Sequence, residues 1–377
     1  MTHNSDSPSA EAVRPRSAIG RLPVYRAGKA PSAVEGLTSY KLSSNENPLP
    51  PIPAVQKVIA EEAAYNRYPD PATVQLRTAI AETFGIDPLD VVPGQGSLGA
   101  LNQVLSTFAG QEQGQEPDEV IFAWRSFEAY PISVTVAGAT PVPIANKPDG
   151  SHDFDAMAEA VTDRTRVILL CTPNNPTGPG MTHDEVEAFL ARVPKDVVVV
   201  LDEAYIEFVR LEGAVDGIRL YHEHPNVVVL RTFSKAHGLA GLRVGYSLQG
   251  PALRDYVRSA AVTFSVTRMA EAAAAASLEH LGEVEERVER LVQERNRVVA
   301  GLKEIGWWVP ETHGNFVWLD FSEGEEDAQE FADAADKVAL SVRAFMGEGV
   351  RVSIGEEEAN TRFLELCRTY PKRPRNS

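Results

Sequence analysis

The chain is short of cysteine, of basic charge and of long apolar runs, and each shortage closes off a class of protein. Only two of its 377 residues are cysteines, Cys171 and Cys367. Neither belongs to a Cys-x-x-Cys pair or a metal-ligand cluster, so a disulfide scaffold is excluded and a reduced, cytoplasmic setting is expected. Lysine and arginine total 36 against 53 aspartates and glutamates, a formal net charge of -17. That balance argues against nucleic acid or an anionic membrane surface as partner, since both would be repelled. No run is apolar and long enough to span a bilayer, and the first ten residues lack the apolar segment of a signal peptide. The eight histidines are scattered without metal spacing, so no metal site is expected.

What remains is an ordinary globular composition, 43% hydrophobic and 24% charged, with enough chain for two domains. Short apolar runs alternate with helical patterns. Val91-Val92, Glu119–Phe122, Ala139–Ile144, Val167–Leu170, Val197–Leu201 and Val227–Leu230 read as strands. Helices are expected over 54–64 and 74–84, from the Gly94–Gly99 turn through Phe108, and from Thr182, with Glu185 as its capping-box partner. This alternation predicts a buried, mostly parallel sheet flanked by helices. From about Ala270 the texture changes. The Ala272–Ala276 run and the charged run Glu283–Arg297 read as helix, to the limit of a single long one. Strands near 315–319, 340–343 and 349–354, with helices near 328–338 and from Glu356, suggest a smaller α+β domain.

In open parallel sheets, ligands bind beyond the carboxyl ends of the strands, and several polar clusters fall at such ends. Val227–Leu230 runs into Arg231-Thr-Phe-Ser-Lys235-Ala-His-Gly-Leu-Ala-Gly-Leu-Arg243. A lysine among Ala, Gly and Leu is desolvated, which lowers its pKa and frees an amine for Schiff-base chemistry. Thr232, Ser234 and Arg243 can all hold a phosphate. A nucleophilic lysine beside a phosphate cup is what pyridoxal 5′-phosphate (PLP) requires; the plain alternative is a structural turn with a snorkelling lysine. His237 is given no role.

Gly94-Gln-Gly96-Ser97-Leu98-Gly99 fits Gly-x-Gly-x-x-Gly literally. A dinucleotide site would also need an acid at a strand end, and Glu116 and Asp118 lie in a polar loop instead. The better reading keeps the physics and changes the ligand: Gly96 opens a helix whose Ser97 and Leu98 N–H groups hold a single phosphate. Asp202 follows a valine run, where a buried acid is costly unless paired. It either caps a turn or pairs with a protonated pyridine nitrogen, which lets the ring act as an electron sink. Asn175 and Tyr205 are placed to reach the ring 3-oxygen, and Phe127 to stack on the ring face. The bland readings are an ordinary Asn-Pro-Thr-Gly turn and plain core packing.

From about Leu22 to the C-terminal helix, the chain resembles the fold-type I PLP-dependent aminotransferases of the histidinol-phosphate aminotransferase family. The resemblance is carried by Ser44-Asn-Glu-Asn-Pro48, Arg67-Tyr-Pro-Asp70, Asn174-Asn-Pro-Thr-Gly178, Asp202-Glu-Ala-Tyr205, Thr232–Lys235 with Gly238–Arg243, and Val350-Arg351-Val352. It implies an α/β fold: a large domain with a mostly parallel seven-stranded sheet flanked by helices, plus a smaller α+β domain. The implied divisions are a flexible tail (1–19), an arm joining the small domain (20–49), the PLP-binding domain (50–268) and the small domain (269–377). It implies further that Lys235 attaches PLP covalently and that Asp202 pairs with the ring nitrogen. Asn175 and Tyr205 would bind the ring oxygen, while Ser97, Ser234 and Arg243 hold the phosphate. Tyr68 would reach the phosphate of a neighbouring subunit, making a homodimer with shared sites. Arg351 would grip the substrate carboxylate.

Many histidinol-phosphate enzymes carry an acidic pair after Gly-x-Gly-Ser; here it is Leu98-Gly99. Trp124-Arg-Ser-Phe-Glu128 and Asn315-Phe-Val-Trp-Leu319 are similar instead to the actinobacterial aromatic (phenylalanine) aminotransferase branch. The expected reaction is therefore transamination between phenylalanine or tyrosine and 2-oxoglutarate. Histidinol-phosphate transamination and a related PLP-dependent decarboxylation are the alternatives. Asn45, Tyr25, Asn315 and Arg343 join Arg351 as expected substrate residues, with Phe127 and Phe316 lining an apolar slot. Arg125 and Arg343 are the test of that choice: both in the pocket would favour a phosphate.

Overall fold

The computed structural model describes residues 16–22, 28–322 and 327–371. Its strands are β1 (Tyr40–Lys41), β2 (Val91–Gln95), β3 (Glu119–Trp124), β4 (Thr140–Ala145), β5 (Thr165–Cys171) and β6 (Val198–Asp202). They continue with β7 (Val227–Thr232), β8 (Val244–Gln249), β9 (Phe316–Asp320), β10 (Leu340–Ser341), β11 (Arg343–Phe345) and β12 (Gly349–Ser353). A seven-stranded sheet runs in the order β2-β8-β7-β6-β5-β3-β4. Neighbours from β4 across to β7 are parallel, whereas β8 is antiparallel to both β7 and β2. Hence β2 points with the majority and β8 alone opposes it. The mostly parallel α/β fold expected from the sequence is borne out.

The valine runs explain the centre of this sheet. Side chains alternate across a strand, so Val199 and Leu201 of β6 enter one apolar cluster while Val198 and Val200 enter another on the opposite face. β7 divides likewise, Val227 and Val229 against Val228 and Leu230. Both faces are buried, as a parallel sheet under helices requires. Thr182 caps helix His183–Leu190, and both bonds of the expected capping box with Glu185 are present. Helix Arg268–Glu279 packs its alanines against helices Pro53–Glu61 and Val74–Phe84. Ala270, Ala273 and Ala274 are fully buried, and side chains that small let helix axes approach closely.

The helical reading of the Ala272–Ala276 and Glu283–Arg297 runs holds, but not as a single long helix. The segment is two helices, Arg268–Glu279 and Leu281–Glu304, broken at His280. His280 lies outside the helical basin (φ -117°, ψ 37°), and its Nδ1 is 3.0 Å from the Ala276 carbonyl that a continuing turn would use.

Beyond the long helix, β11, β12 and β9 form an antiparallel sheet in that order. Arg343 lies directly across from Arg351, and Arg351 across from Trp318. The early segment joins this part of the chain: β1 pairs in parallel with β10, Tyr40 opposite Leu340. Trp307, Phe321, Phe331, Phe363 and Tyr370 pack ring against ring there, with Phe331 at the centre. Among the described residues, no helix is long and apolar enough to cross a membrane.

Candidate active site

The topology brings the polar clusters together. β2, β3, β5, β6 and β7 deliver their carboxyl ends to one edge of the sheet. Because β8 runs backwards, its start arrives at that same edge, and Arg243 immediately precedes it. A cavity of about 430 Å³ opens there, lined by Ser97, Leu98, Phe127, Asn175, Asp202, Tyr205, Thr232, Ser234, Lys235 and Arg243. A larger cavity, about 840 Å³, lies behind the lysine turn against Phe233, His237 and Tyr246. Of the strand-end polar groups it reaches only Arg231, which is paired with Glu203, and Thr232, so the chemistry belongs to the first.

One wall of the cavity is built for an anion. Gly96 has φ 71° and begins helix Gly96–Phe108. A Cβ at Gly96 would stand 2.5 Å from Arg243 Nη2, and one at Gly245 only 2.4 Å from Ser97 N. Both glycines are therefore dictated by the close approach of Arg243 and of the helix start. Arg243 Nη1 donates to Ser234 Oγ (3.2 Å) and to the Ala240 carbonyl (2.9 Å). Thr232 Oγ1 accepts the Ser234 N–H at 3.2 Å. Hydroxyls, a guanidinium and helix N–H groups thus converge, a donor set suited to a phosphate.

The opposite requirements are met across the cavity. Lys235 Nζ donates to the carbonyls of Asn45 (3.0 Å) and Ser44 (3.2 Å). Burial, helped by the charges of Arg351 and Arg243, lowers the lysine to about 7, so much of it is a neutral nucleophile at neutral pH. Asp202 is 5% exposed, and burial raises its carboxyl to about 6. Its Oδ2 accepts the Tyr130 hydroxyl at 2.7 Å, while Oδ1 is buried with no hydrogen-bond partner. An orphaned carboxylate oxygen in a cavity wall fits the N–H of a pyridinium ring.

The expected substrate residues form a chain of bonds reaching this wall. Asn45, in the left-handed region at φ 52°, donates from Nδ2 to the Tyr205 hydroxyl (3.1 Å). Asn315 Nδ2 donates to the Asn45 carbonyl (3.2 Å), and Phe316 meets the Tyr205 ring edge-on at 5.2 Å. Arg351, 8% exposed, donates to Asn175 Oδ1 (2.7 Å) and to the Ser43 carbonyl (2.8 Å). Asn45, Asn315, Phe316 and Arg351 stand behind the lining residues Tyr205 and Asn175 rather than in the cavity lining itself, and Arg343 and Arg125 are absent from it as well. Arg343 is held by the carboxylate of Glu128 (2.9 and 3.0 Å), and Arg125 by that of Glu348. Tyr68 is 77% exposed and stacks on Phe264 at 4.7 Å, away from this chain's cavity. Tyr25 lies outside the described residues.

Two clusters escaped the sequence reading. Tyr130 stands directly behind Asp202; its only signal was its place three residues after Phe127, whose ring it meets edge-on at 5.6 Å. His183, Glu187 and Glu223 also come together, on the far helices. There the Asp216 N–H donates to His183 Nδ1 (3.3 Å), which puts the ring proton on Nε2. That nitrogen is then a donor facing Glu187 at 3.8 Å rather than a metal ligand.

Residues 38–366 match the family model for aminotransferase class I and II. The chain belongs to that aminotransferase family. An aromatic amino acid aminotransferase of Streptomyces avermitilis is 50% identical over 358 residues, 95% of this chain and 97% of the relative. A protein of the same name from Thermobifida fusca is 50% identical over 359 residues, again 95% and 97% of the two chains. Among solved structures, histidinol-phosphate aminotransferase from Sinorhizobium meliloti in complex with pyridoxal-5′-phosphate superposes with a TM-score of 0.83. That pair is 26% identical, covering 96% of this chain and 100% of the other. The protein is a PLP-dependent aminotransferase, and the phosphate wall, orphaned Asp202 oxygen and low-pKa lysine suit that cofactor.

Proposed function

We propose that this aminotransferase moves the amino group of phenylalanine or tyrosine to 2-oxoglutarate, working as a homodimer with shared sites. The observation that carries the substrate assignment is the state of the arginines. Histidinol phosphate bears a phosphate and no carboxylate, so its pocket needs several convergent cations. Here Arg343 and Arg125 are already engaged by Glu128 and Glu348. Arg351, bonded to the neutral oxygens of Asn175 and Ser43, suits a single carboxylate through its planar fork. The names of the two Streptomyces and Thermobifida relatives support the same reading.

In this reading, Ser97, Ser234 and Arg243 hold the cofactor phosphate, with the N–H groups that follow Gly96. Asp202 meets the ring nitrogen, Asn175 and Tyr205 the ring oxygen, and Phe127 the ring face. PLP supplies an electron sink that makes the substrate Cα proton removable. Lys235 would hold the cofactor covalently; once free, its amine would take the Cα proton as a general base and, now protonated, deliver it as a general acid to the atom that must gain it in the transfer. Arg351 orients the α-carboxylate, and Phe127 flanks an aromatic side chain; Phe316, fully buried, backs Tyr205 instead of lining the slot. The cofactor-binding unit is 50–268, with 269–377 and the 20–49 arm forming the smaller one.

The substrate is tested by the ratio of kcat/KM for phenylalanine and histidinol phosphate with one oxo acid. Phenylalanine is expected to win by at least about tenfold, roughly 1.4 kcal/mol in transition-state binding; a tenfold preference for histidinol phosphate overturns the assignment. A panel of oxo acids checks 2-oxoglutarate in the same assay. The dimer rests on the exposed apolar ring pair: Tyr68 and Phe264, with Val262 64% exposed beside them. Such a patch is what an interface covers. Sedimentation is expected to show a dimer at micromolar concentration, and a fully active monomer would contradict it.

A further inference from the structure

Tyr130 is the largest fully buried side chain in contact with the cavity wall, and the assignments above leave it without a role. It is 1% exposed, on the first turn of helix Ala129–Ala137. Its ring is clamped edge-on by Phe122 at 5.9 Å and Phe127 at 5.6 Å, so the hydroxyl has little freedom of direction. That hydroxyl meets Asp202 Oδ2 at 2.7 Å. The other carboxylate oxygen, Oδ1, is left without a partner.

A carboxylate on the last residue of a strand can rotate about its side-chain torsions. A fixed donor on one oxygen removes that freedom and determines where the other points. Tyr130 also touches Phe127, which lines the same cavity, so one buried phenol braces two walls at once. We propose that Tyr130 is a positioning residue for the cofactor: by taking Oδ2 of Asp202 it presents Oδ1 to the ring nitrogen of PLP. The inference rests on the reading that Asp202 faces that nitrogen. Its electrostatic side agrees with the geometry, because the Tyr130 hydrogen bond favours the ionised carboxylate against the burial that disfavours it. Cys171, opposite Asp202 in the β5–β6 register, is a poor substitute donor: burial and the charge of Asp202 raise its thiol to about 12, and its Sγ is directed to the Pro173 carbonyl.

The test uses the full chain stripped of cofactor and titrated by fluorescence with two ligands. One is PLP; the other is its carbocyclic analogue, with CH in place of the ring nitrogen. Wild type is expected to prefer PLP. Tyr130→Phe keeps the ring packing and is expected to lose about tenfold in PLP affinity, the scale of one hydrogen bond to a charged group. The same variant is expected to bind the analogue within about twofold of wild type. Equal losses for both ligands overturn the proposal, because they report a packing defect. A wild type that binds both ligands alike overturns the ring-nitrogen role of Asp202 itself, and the inference with it. A second measurement places Tyr130→Phe in an Asp202→Asn background, where its cost in PLP affinity is expected to fall below about twofold. Additive losses there mean that Tyr130 does not act through Asp202.

Discussion

Replacing Lys235 with alanine is expected to abolish transamination, lowering kcat by at least about 10⁴-fold, the upper range for a positioned acid–base group. The physical case is that one amine performs two tasks. In the proposed function it would hold the cofactor at the cavity wall and, once free, serve as the base for the substrate Cα. No other described lysine lines the cavity. The hydrogen bonds to the Ser44 and Asn45 carbonyls fix where the amine sits. Burial and the flanking charges of Arg351 and Arg243 bring its pKa down to about 7. The sign of the pH dependence follows. An amine attacks a carbonyl only when neutral, so PLP attachment to the stripped protein is expected to be flat above about pH 7 and to slow about tenfold per pH unit below it. The measurement is the stopped-flow appearance of the bound-cofactor absorption band across pH 5 to 9. A Lys235→Ala protein with wild-type turnover would remove the whole PLP assignment. An attachment rate still rising steeply to about pH 10 would show instead that the lysine is not depressed.

Much of this site was legible in the chain because α/β topology is itself a rule about where polar residues go. Each apolar strand run was followed by a small, hydroxyl-bearing or acidic cluster, and a parallel sheet places such ends side by side. Lys235, Asp202, Asn175 and Ser97 could therefore be brought together without coordinates. What failed to show was whatever depended on partners distant in sequence. Tyr130 reads as one more core aromatic until the sheet sets β3 and β6 on either side of β5 and its hydroxyl lands on Asp202. The pairing of Arg343 with Glu128 spans 215 positions, and nothing local marks it. β8 was overlooked because Gly245 and Ser247 interrupt its apolar pattern, yet it is the reversed strand that delivers Arg243. The break at His280 was hidden for a different reason. Alanine and glutamate on either side are strong helix formers, and only the backbone angles of a single residue divide them.

The second large effect concerns Arg351. Arg351→Gln is expected to lower kcat/KM for phenylalanine by about 10²- to 10³-fold, equivalent to roughly 3–4 kcal/mol. The guanidinium sits on β12, buried among Asn175, Ser43 and the ring of Phe316. A charge-assisted pair in so dry a place is strong, and removing the cation leaves a substrate carboxylate desolvated without compensation. Lysine is not expected to rescue it, since a point charge cannot keep Asn175 and Ser43 while also clamping a carboxylate in a plane. The complication is that Arg351 also steadies Asn175, so a loss of activity alone could reflect a disturbed cofactor. Phenethylamine separates the two causes, because it is phenylalanine without the carboxylate. If Arg351 is the clamp, Arg351→Gln should process phenethylamine within about threefold of wild type, and the loss should be confined to substrates that carry the acid. A variant equally slow on both amines would instead make Arg351 a support for Asn175 and leave the carboxylate site to be found elsewhere.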